Sequence, residues 1–178
     1  MEMIFMLIII DGYNLIRQSV DLKRHERKSL EAGRNALLAR LAEYGKIKNH
    51  QITVVFDGIQ SGWAEEGRDR AGKINIIYSR HGERADDVIK RLAAHSSEEI
   101  IVVSSDREIS SYVTRLGRTS LSSPEFETIM DKTITADFSP LPETKEDEDE
   151  QSRPVSKKGP SRKLPRARRK AQSKINKL

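Results

Sequence analysis

The sequence predicts a three-layer α/β sandwich on a mainly parallel sheet of about five strands, followed by a disordered charged tail. Three observations predict it. Up to residue 140, short apolar runs alternate with stretches of helical periodicity, the pattern of parallel strands joined by helical crossovers. The clearest runs, Ile8-Ile9-Ile10 and Ile100-Ile101-Val102-Val103, lack in–out alternation, as in strands covered on both faces. Beyond Pro140, apolar residues give way to Pro, Ser and charge. Such a segment cannot bury enough apolar surface to offset the entropy of ordering it.

The elements follow in order. Residues 3–10 read as a buried strand. The run is too short for a membrane span, lacks a basic flank and a cleavage site, and leads straight into Asp11, so it is neither a signal peptide nor an anchor. Residues 29–48 read as a helix with Leu30, Leu37, Leu38 and Leu41 on one stripe, and residues 51–57 as a second strand. Residues 58–72 carry Gly58, Gly62, Gly67 and Gly72 and read as a mobile loop. A strand at 74–79 precedes a helix at 83–95, where Ala85, Val88, Ile89, Leu92 and Ala93 keep helical spacing. A fourth strand spans 99–104. A helix at 107–116 carries Ile109, Tyr112, Val113 and Leu116 on one face and stops at Gly117. A short strand near 119–122 and a helix near 123–131, with Ser123 as N-cap and Pro124 in the first turn, complete the domain.

The 178 residues suffice for one domain, residues 1–140, and an appendage, residues 141–178. Absence of cysteine excludes disulfides, thiolate metal sites and thiol nucleophiles, and fits a cytoplasmic location. The net charge of +5 is uneven: residues 1–140 carry −1 and residues 141–178 carry +6. In the appendage an acidic run, Glu146 to Glu150, precedes residues 151–178, which hold 11 Lys/Arg and no acid. Residues 166–177 are expected to be disordered alone and to turn helical only on a partner.

The chemistry lies in the carboxylates. Asp11 follows the first strand, Asp57 the second, and Asp106 the fourth after two serines, so an open parallel sheet brings all three to one rim. Asp86 and Asp87 open the helix before the fourth strand and join the rim if their loop returns to it. Each has an ordinary structural role available: turn residue, N-cap or helix-dipole partner. Asp57 is the weakest ligand candidate, because Asp57-Gly58 is also an ordinary turn signal. Clustered acids repel one another unless a cation joins them. Oxygen-only ligands suit Mg²⁺ or Mn²⁺, and phosphodiester hydrolysis uses such a site without a side-chain nucleophile.

These residues resemble a family. Ile8-Ile9-Ile10-Asp11-Gly12-Tyr13-Asn14-Leu15 resembles the opening signature of NYN domains, relatives of PIN nucleases. The continuation, Val55-Phe56-Asp57-Gly58, Ala85-Asp86-Asp87-Val88-Ile89 and Val102-Val103-Ser104-Ser105-Asp106, is similar to the bacterial YacP-like branch. The resemblance spans about residues 3–130. It implies a PIN-like fold and metal-dependent RNA cleavage, with Asp11, Asp86 and Asp106 as metal-site carboxylates. It also implies Asp87 as a further ligand or support, and Asn14 as the group orienting a ligand or phosphate. Asn14 is otherwise an N-cap of a short helix. Related nucleases often carry another acid one turn after the Asp106 equivalent, where this chain has Ser110, with Glu108 nearby. That departure leaves one metal or two open.

Expected RNA contacts are Arg68, Arg70 and Lys73 in the glycine-rich loop, Arg80, His81 and Arg84 before the acidic pair, and Arg107. Their alternative is ordinary solvated surface. Trp63 either stacks on a base or packs the loop. The basic tail is expected to contact RNA or a ribosomal surface. The function these signals imply is a metal-dependent endoribonuclease, with mRNA at the ribosome as one setting; the alternative is a non-catalytic RNA- or ribosome-binding module with a vestigial acidic pocket. A haloacid dehalogenase phosphatase needs a second Asp two residues after the first, where this chain has Tyr13.

Overall fold

The computed structural model describes residues 6–58, 66–96, 99–138 and 166–178. Six strands form one sheet: β1 (Leu7–Asp11), β2 (Gln51–Phe56), β3 (Gly67–Ala71), β4 (Ile74–Tyr78), β5 (Ile100–Val103) and β6 (Thr119–Leu121), in the order β3-β4-β2-β1-β5-β6. All pair in parallel except β3, which pairs antiparallel to β4 at the edge. The helices are α1 (Gly12–Gln18), α2 (Val20–Glu26), α3 (Leu30–Ile47), α4 (Ala85–His95), α5 (Arg107–Arg115), α6 (Ser123–Phe138) and α7 (Arg166–Ile175).

Strand periodicity sorts the core into two layers. Ile8, Ile10, Val54, Phe56, Ile101 and Val103 face Leu15, Leu37, Leu41, Tyr44 and Phe126 on one side. Ile9, Val55, Ile100 and Val102 face Val88, Ile89, Ile109 and Val113 on the other. This is why the strands read as continuous apolar runs: each alternate residue enters a different core. The layers are thus α/β/α, as expected. Helix starts follow local chemistry. Ser29 caps α3 by accepting from Ala32 N at 2.9 Å, and Gly117 ends the α5 turn at φ 71°.

Four departures from expectation involve five elements. Helices α1 and α2 fill a stretch given no helix beyond a short one starting at Leu15, because Asp11 and Ser19 each cap a seven-residue turn. Such short helices carry little periodicity. Part of the expected glycine-rich loop is strand β3, making six strands; its pattern is largely exposed, as an edge strand permits, so no apolar run announced it. Helix α6 runs to Phe138 rather than ending near 131.

The fourth departure is α7, which is helical within the segment expected to be disordered. Leu178 is buried, Ile175 packs against the core, and Tyr44 Oη donates to the Leu178 carbonyl at 3.0 Å. One buried leucine contributes about 2 kcal/mol. Two apolar groups at one end make too small a stripe to outweigh the charge when the sequence is read alone. The expected boundary at Pro140, the acidic run and Trp63 lie outside the described residues. Among the described residues no helix is long and apolar enough to cross a membrane.

Candidate active site

Strand β1 lies centrally between β2 and β5. From β1 the chain runs to one side through β2 and β4, then crosses over as β5 and β6. The crevice at the carboxyl ends of the strands, where such an order reverses, is where open α/β sheets bind ligands. A cavity of about 430 Å³ opens there, lined by Asp11, Asn14, Asp57, Arg84, Asp86 and Asp106 among others.

Asp11 ends β1 and caps α1. Its Oδ1 accepts from Asn14 N at 3.2 Å, and its Oδ2 accepts from Ser104 Oγ at 3.2 Å. Burial pushes its carboxyl up to about 6, and the charges of Asp86 and Asp106 add to this. The Asn14 N–H and the Ser104 hydroxyl oppose it. Gly12 is required beside it: a Cβ there would overlap the Phe56 ring.

Asp86 sits in the first turn of α4. Burial raises its pKa, helped by Asp106 and Glu108 and opposed by Arg84 and Lys90; Arg84 Nη2 lies 3.1 Å from its Oδ2. Asp106 caps α5, its Oδ1 accepting from Glu108 N at 2.7 Å and Ile109 N at 3.3 Å. Asp57 follows β2 and lines the same cavity. Asp87 is not brought in. It is exposed, and its Oδ2 accepts from Arg84 N at 3.2 Å, closing a capping box on α4.

Asn14 ties three elements together. Its Oδ1 accepts from Ser105 N at 2.9 Å and from Ser123 Oγ at 2.7 Å, locking α1 to the β5–α5 loop and to the start of α6. Ser104 Oγ accepts from Asp106 N at 3.1 Å while donating to Asp11, and Ser105 Oγ accepts from Ser123 N at 3.2 Å. Sequence reasoning missed this serine network and the cavity-lining Tyr13, Arg17 and Gln18. A helix beginning at Gly12 was the available signal: i, i+3 and i+4 spacing then places Asn14, Arg17 and Gln18 together.

The basic candidates disperse. Arg84 lines the cavity. Arg107 lines a neighbouring serine groove with Ser110, Ser111 and Ser120. Arg80 and His81 are exposed after β4, with Arg80 Nε 3.4 Å from Glu83 Oε2. Arg68 lies near the site end of β3, opposite Ile77, and pairs with Glu66 at 2.9 Å. Arg70 lies farther along, opposite Asn75, donating from Nε to the Gly72 carbonyl at 2.9 Å. Lys73 is in the β3–β4 turn, at the rim opposite the acids. Glu108 pairs with Lys90.

Among the described residues no group of three or more carboxylate or imidazole side chains is arranged so that it could hold a metal ion. The donors fit a hard divalent ion in kind: Asp11, Asp57, Asp86 and Asp106 offer oxygen only. They share one cavity, where burial first raises the carboxyls of Asp11 and Asp86 and the neighbouring charge of Asp106 adds to both.

A mainly parallel sheet whose central strand ends in a carboxylate, with acids from β2, α4 and α5 lining the same cavity, is an arrangement that PIN-like nuclease folds share. Within that class the YacP-like NYN domain matches residues 8–170, and the chain belongs to that family. The chain is 30% identical over 87 residues to the uncharacterized protein YacP of Bacillus subtilis (strain 168), covering 49% of this chain. The aligned stretch spans about half, 51%, of that relative's length. The crystal structure of Rae1 (YacP) from Bacillus subtilis superposes with a TM-score of 0.60 at 24% identity, covering 73% of this chain and 76% of that one. A variant of the same protein gives 0.62 at 24% identity, covering 73% and 77%.

Proposed function

We propose that this protein is a metal-dependent endoribonuclease acting on RNA phosphodiester bonds. The observation that carries the reading is the meeting of Asp11, Asp86 and Asp106, with Asp57, around one cavity at the strand ends. Family membership supports the nuclease class and RNA as its substrate.

Asp11, Asp86 and Asp106 would hold Mg²⁺ or Mn²⁺, with Asp57 beside them and Asp87 acting through the α4 cap. Asp86, paired with Arg84 in this structure, would turn to the ion. Such an ion supplies Lewis-acid stabilisation of phosphate charge. In the reaction, water attacks phosphorus, one P–O ester bond breaks, and the departing oxygen takes a proton. Arg84 would then face a phosphate in the cavity, and Arg107, in the neighbouring groove, would meet the flanking strand. Asn14 is a positioning residue that holds Asp11 against the loop bearing Asp106. A cytoplasmic setting, which the absence of cysteine fits, and mRNA met at the ribosome, which rests on the basic C-terminal segment, belong to the same proposal.

The test is cleavage of a labelled RNA by purified protein with Mg²⁺, comparing the unmodified chain with Asp11→Asn and Asp86→Asn. Loss of at least two orders of magnitude in both variants is expected. Unchanged cleavage would leave a non-catalytic RNA-binding module.

A further inference from the structure

We infer that α7, docked on the rim opposite the acidic cleft, forms with Lys46, Lys48 and Lys73 a second RNA-binding surface, which holds a stretch of substrate remote from the cleaved bond. The inference rests on RNA being the substrate.

Residues 166–178 carry six cations and no acid: Arg166, Arg168, Arg169, Lys170, Lys174 and Lys177. Arg166, Arg169 and Lys170 share a face by i, i+3 and i+4 spacing, opposite Ala171 and Ile175, and all three are exposed. The helix is tethered at its C-terminal end. Besides the Tyr44 bond to Leu178, the Lys177 carbonyl lies 3.4 Å from both Lys48 Nζ and His50 Nε2, and Lys174 Nζ pairs with Glu99 at 3.0 Å.

Every one of those partners stands at the amino ends of the strands: Tyr44 and Lys48 at the end of α3, His50 before β2, Glu99 before β5. The basic face continues onto the body there. Lys46, His50 and Lys73 are the basic groups of an otherwise mainly apolar groove between α3 and the β3–β4 turn, and Lys46 and Lys73 are exposed.

A five-residue strand such as β1 rises about 3.3 Å per residue, so the rims stand on the order of 15–20 Å apart. That is about twice the Debye length of roughly 8 Å at physiological salt. The cleft acids therefore do not neutralise the basic rim, and the rim does not deliver phosphates directly to the cleft. It acts on a distant segment of the same strand. A lipid surface fits less well, because the apolar side of α7, Ile175 and Leu178, is already spent on the core.

Strand length separates this surface from the cleft. Single-stranded RNA can extend to roughly twice the stacked rise of about 3.4 Å per nucleotide, so only an RNA of two nucleotides is sure not to reach both rims. In the full chain, Arg166→Gln/Arg169→Gln/Lys170→Gln should leave cleavage of a two-nucleotide RNA unchanged. It should weaken binding of a thirty-nucleotide RNA on the order of tenfold, and make the log–log salt slope shallower by about 2. Because α7 changes could undock the helix, Lys46→Gln/Lys73→Gln on the body should also flatten the slope. Binding of the thirty-nucleotide RNA and its salt slope are read without cleavage, so an inactive enzyme still tests the surface. Three results would overturn the inference: an unchanged slope in both variants, equal damage to short and long RNAs, or loss of binding only to phosphatidylserine vesicles.

Discussion

Replacing Asp11 by Asn should make the protein more stable at neutral pH in the absence of divalent ions, while abolishing cleavage. The carboxyl of Asp11 is shifted from 3.8 to about 6, chiefly by burial. Roughly two pKa units at 1.36 kcal/mol each amount to about 3 kcal/mol. The sign follows from proton binding. Between pH 4 and 6 the folded protein holds a proton on Asp11 that the unfolded chain has lost, so stability falls as pH rises through this window and levels off above it. Asparagine is neutral throughout. It keeps the bond from Asn14 N but presents an amide donor where Ser104 Oγ now donates, which offsets about 1 kcal/mol. The expected net gain at pH 7.5 is on the order of 1–3 kcal/mol, vanishing below about pH 4. Urea unfolding of both proteins in EDTA from pH 3.5 to 8 measures it. If Asp11→Asn is no more stable at pH 7.5, or if its advantage persists unchanged at pH 3.5, burial is not what raises this carboxyl. Addition of Mg²⁺ should stabilise the unmodified protein and leave the variant nearly unmoved.

Three further outcomes follow from the geometry. Asn14→Ala removes the acceptor for Ser105 N and Ser123 Oγ; it should cost about 2 kcal/mol in denaturant melts and lower kcat more than it raises KM. Asp86→Asn should abolish cleavage, whereas Asp87→Asn should retain most of it and lose about 1 kcal/mol of stability through the α4 cap; equal loss of activity in the two would remove the distinction drawn between them. Gly58→Ala sets a Cβ inside the contact distance of the Ser79 carbonyl oxygen, so thermal melts should show a loss of about 3 kcal/mol, or no folded protein.

Much of the site was legible because strand ends are legible. Apolar runs locate the parallel strands, and the acids following Ile10, Phe56 and Val103 then share a rim by topology alone. Asp86 and Asp87 show where such reading stops. Adjacent in sequence, they point about 100° apart around α4, so one enters the cavity and the other caps the helix. Lys73 shows the same limit. It was placed with the loop cations, but β3 carries the chain away from the site and the turn leaves it on the far rim.

Sequence by itself determined the layer order, the mainly parallel sheet, the family and which acids stand at the strand ends, because burial on both faces and strand-end chemistry are written in local composition. Tertiary structure decided which groups meet. It closed Asn14, Ser104, Ser105 and Ser123 into one network, split the two adjacent aspartates, and docked α7 through Leu178 under Tyr44. Apart from the split of the aspartates, which the turn of α4 sets locally, those outcomes depend on contacts between residues about 90 to 130 positions apart, whose energies arise only once the sheet has brought the partners together.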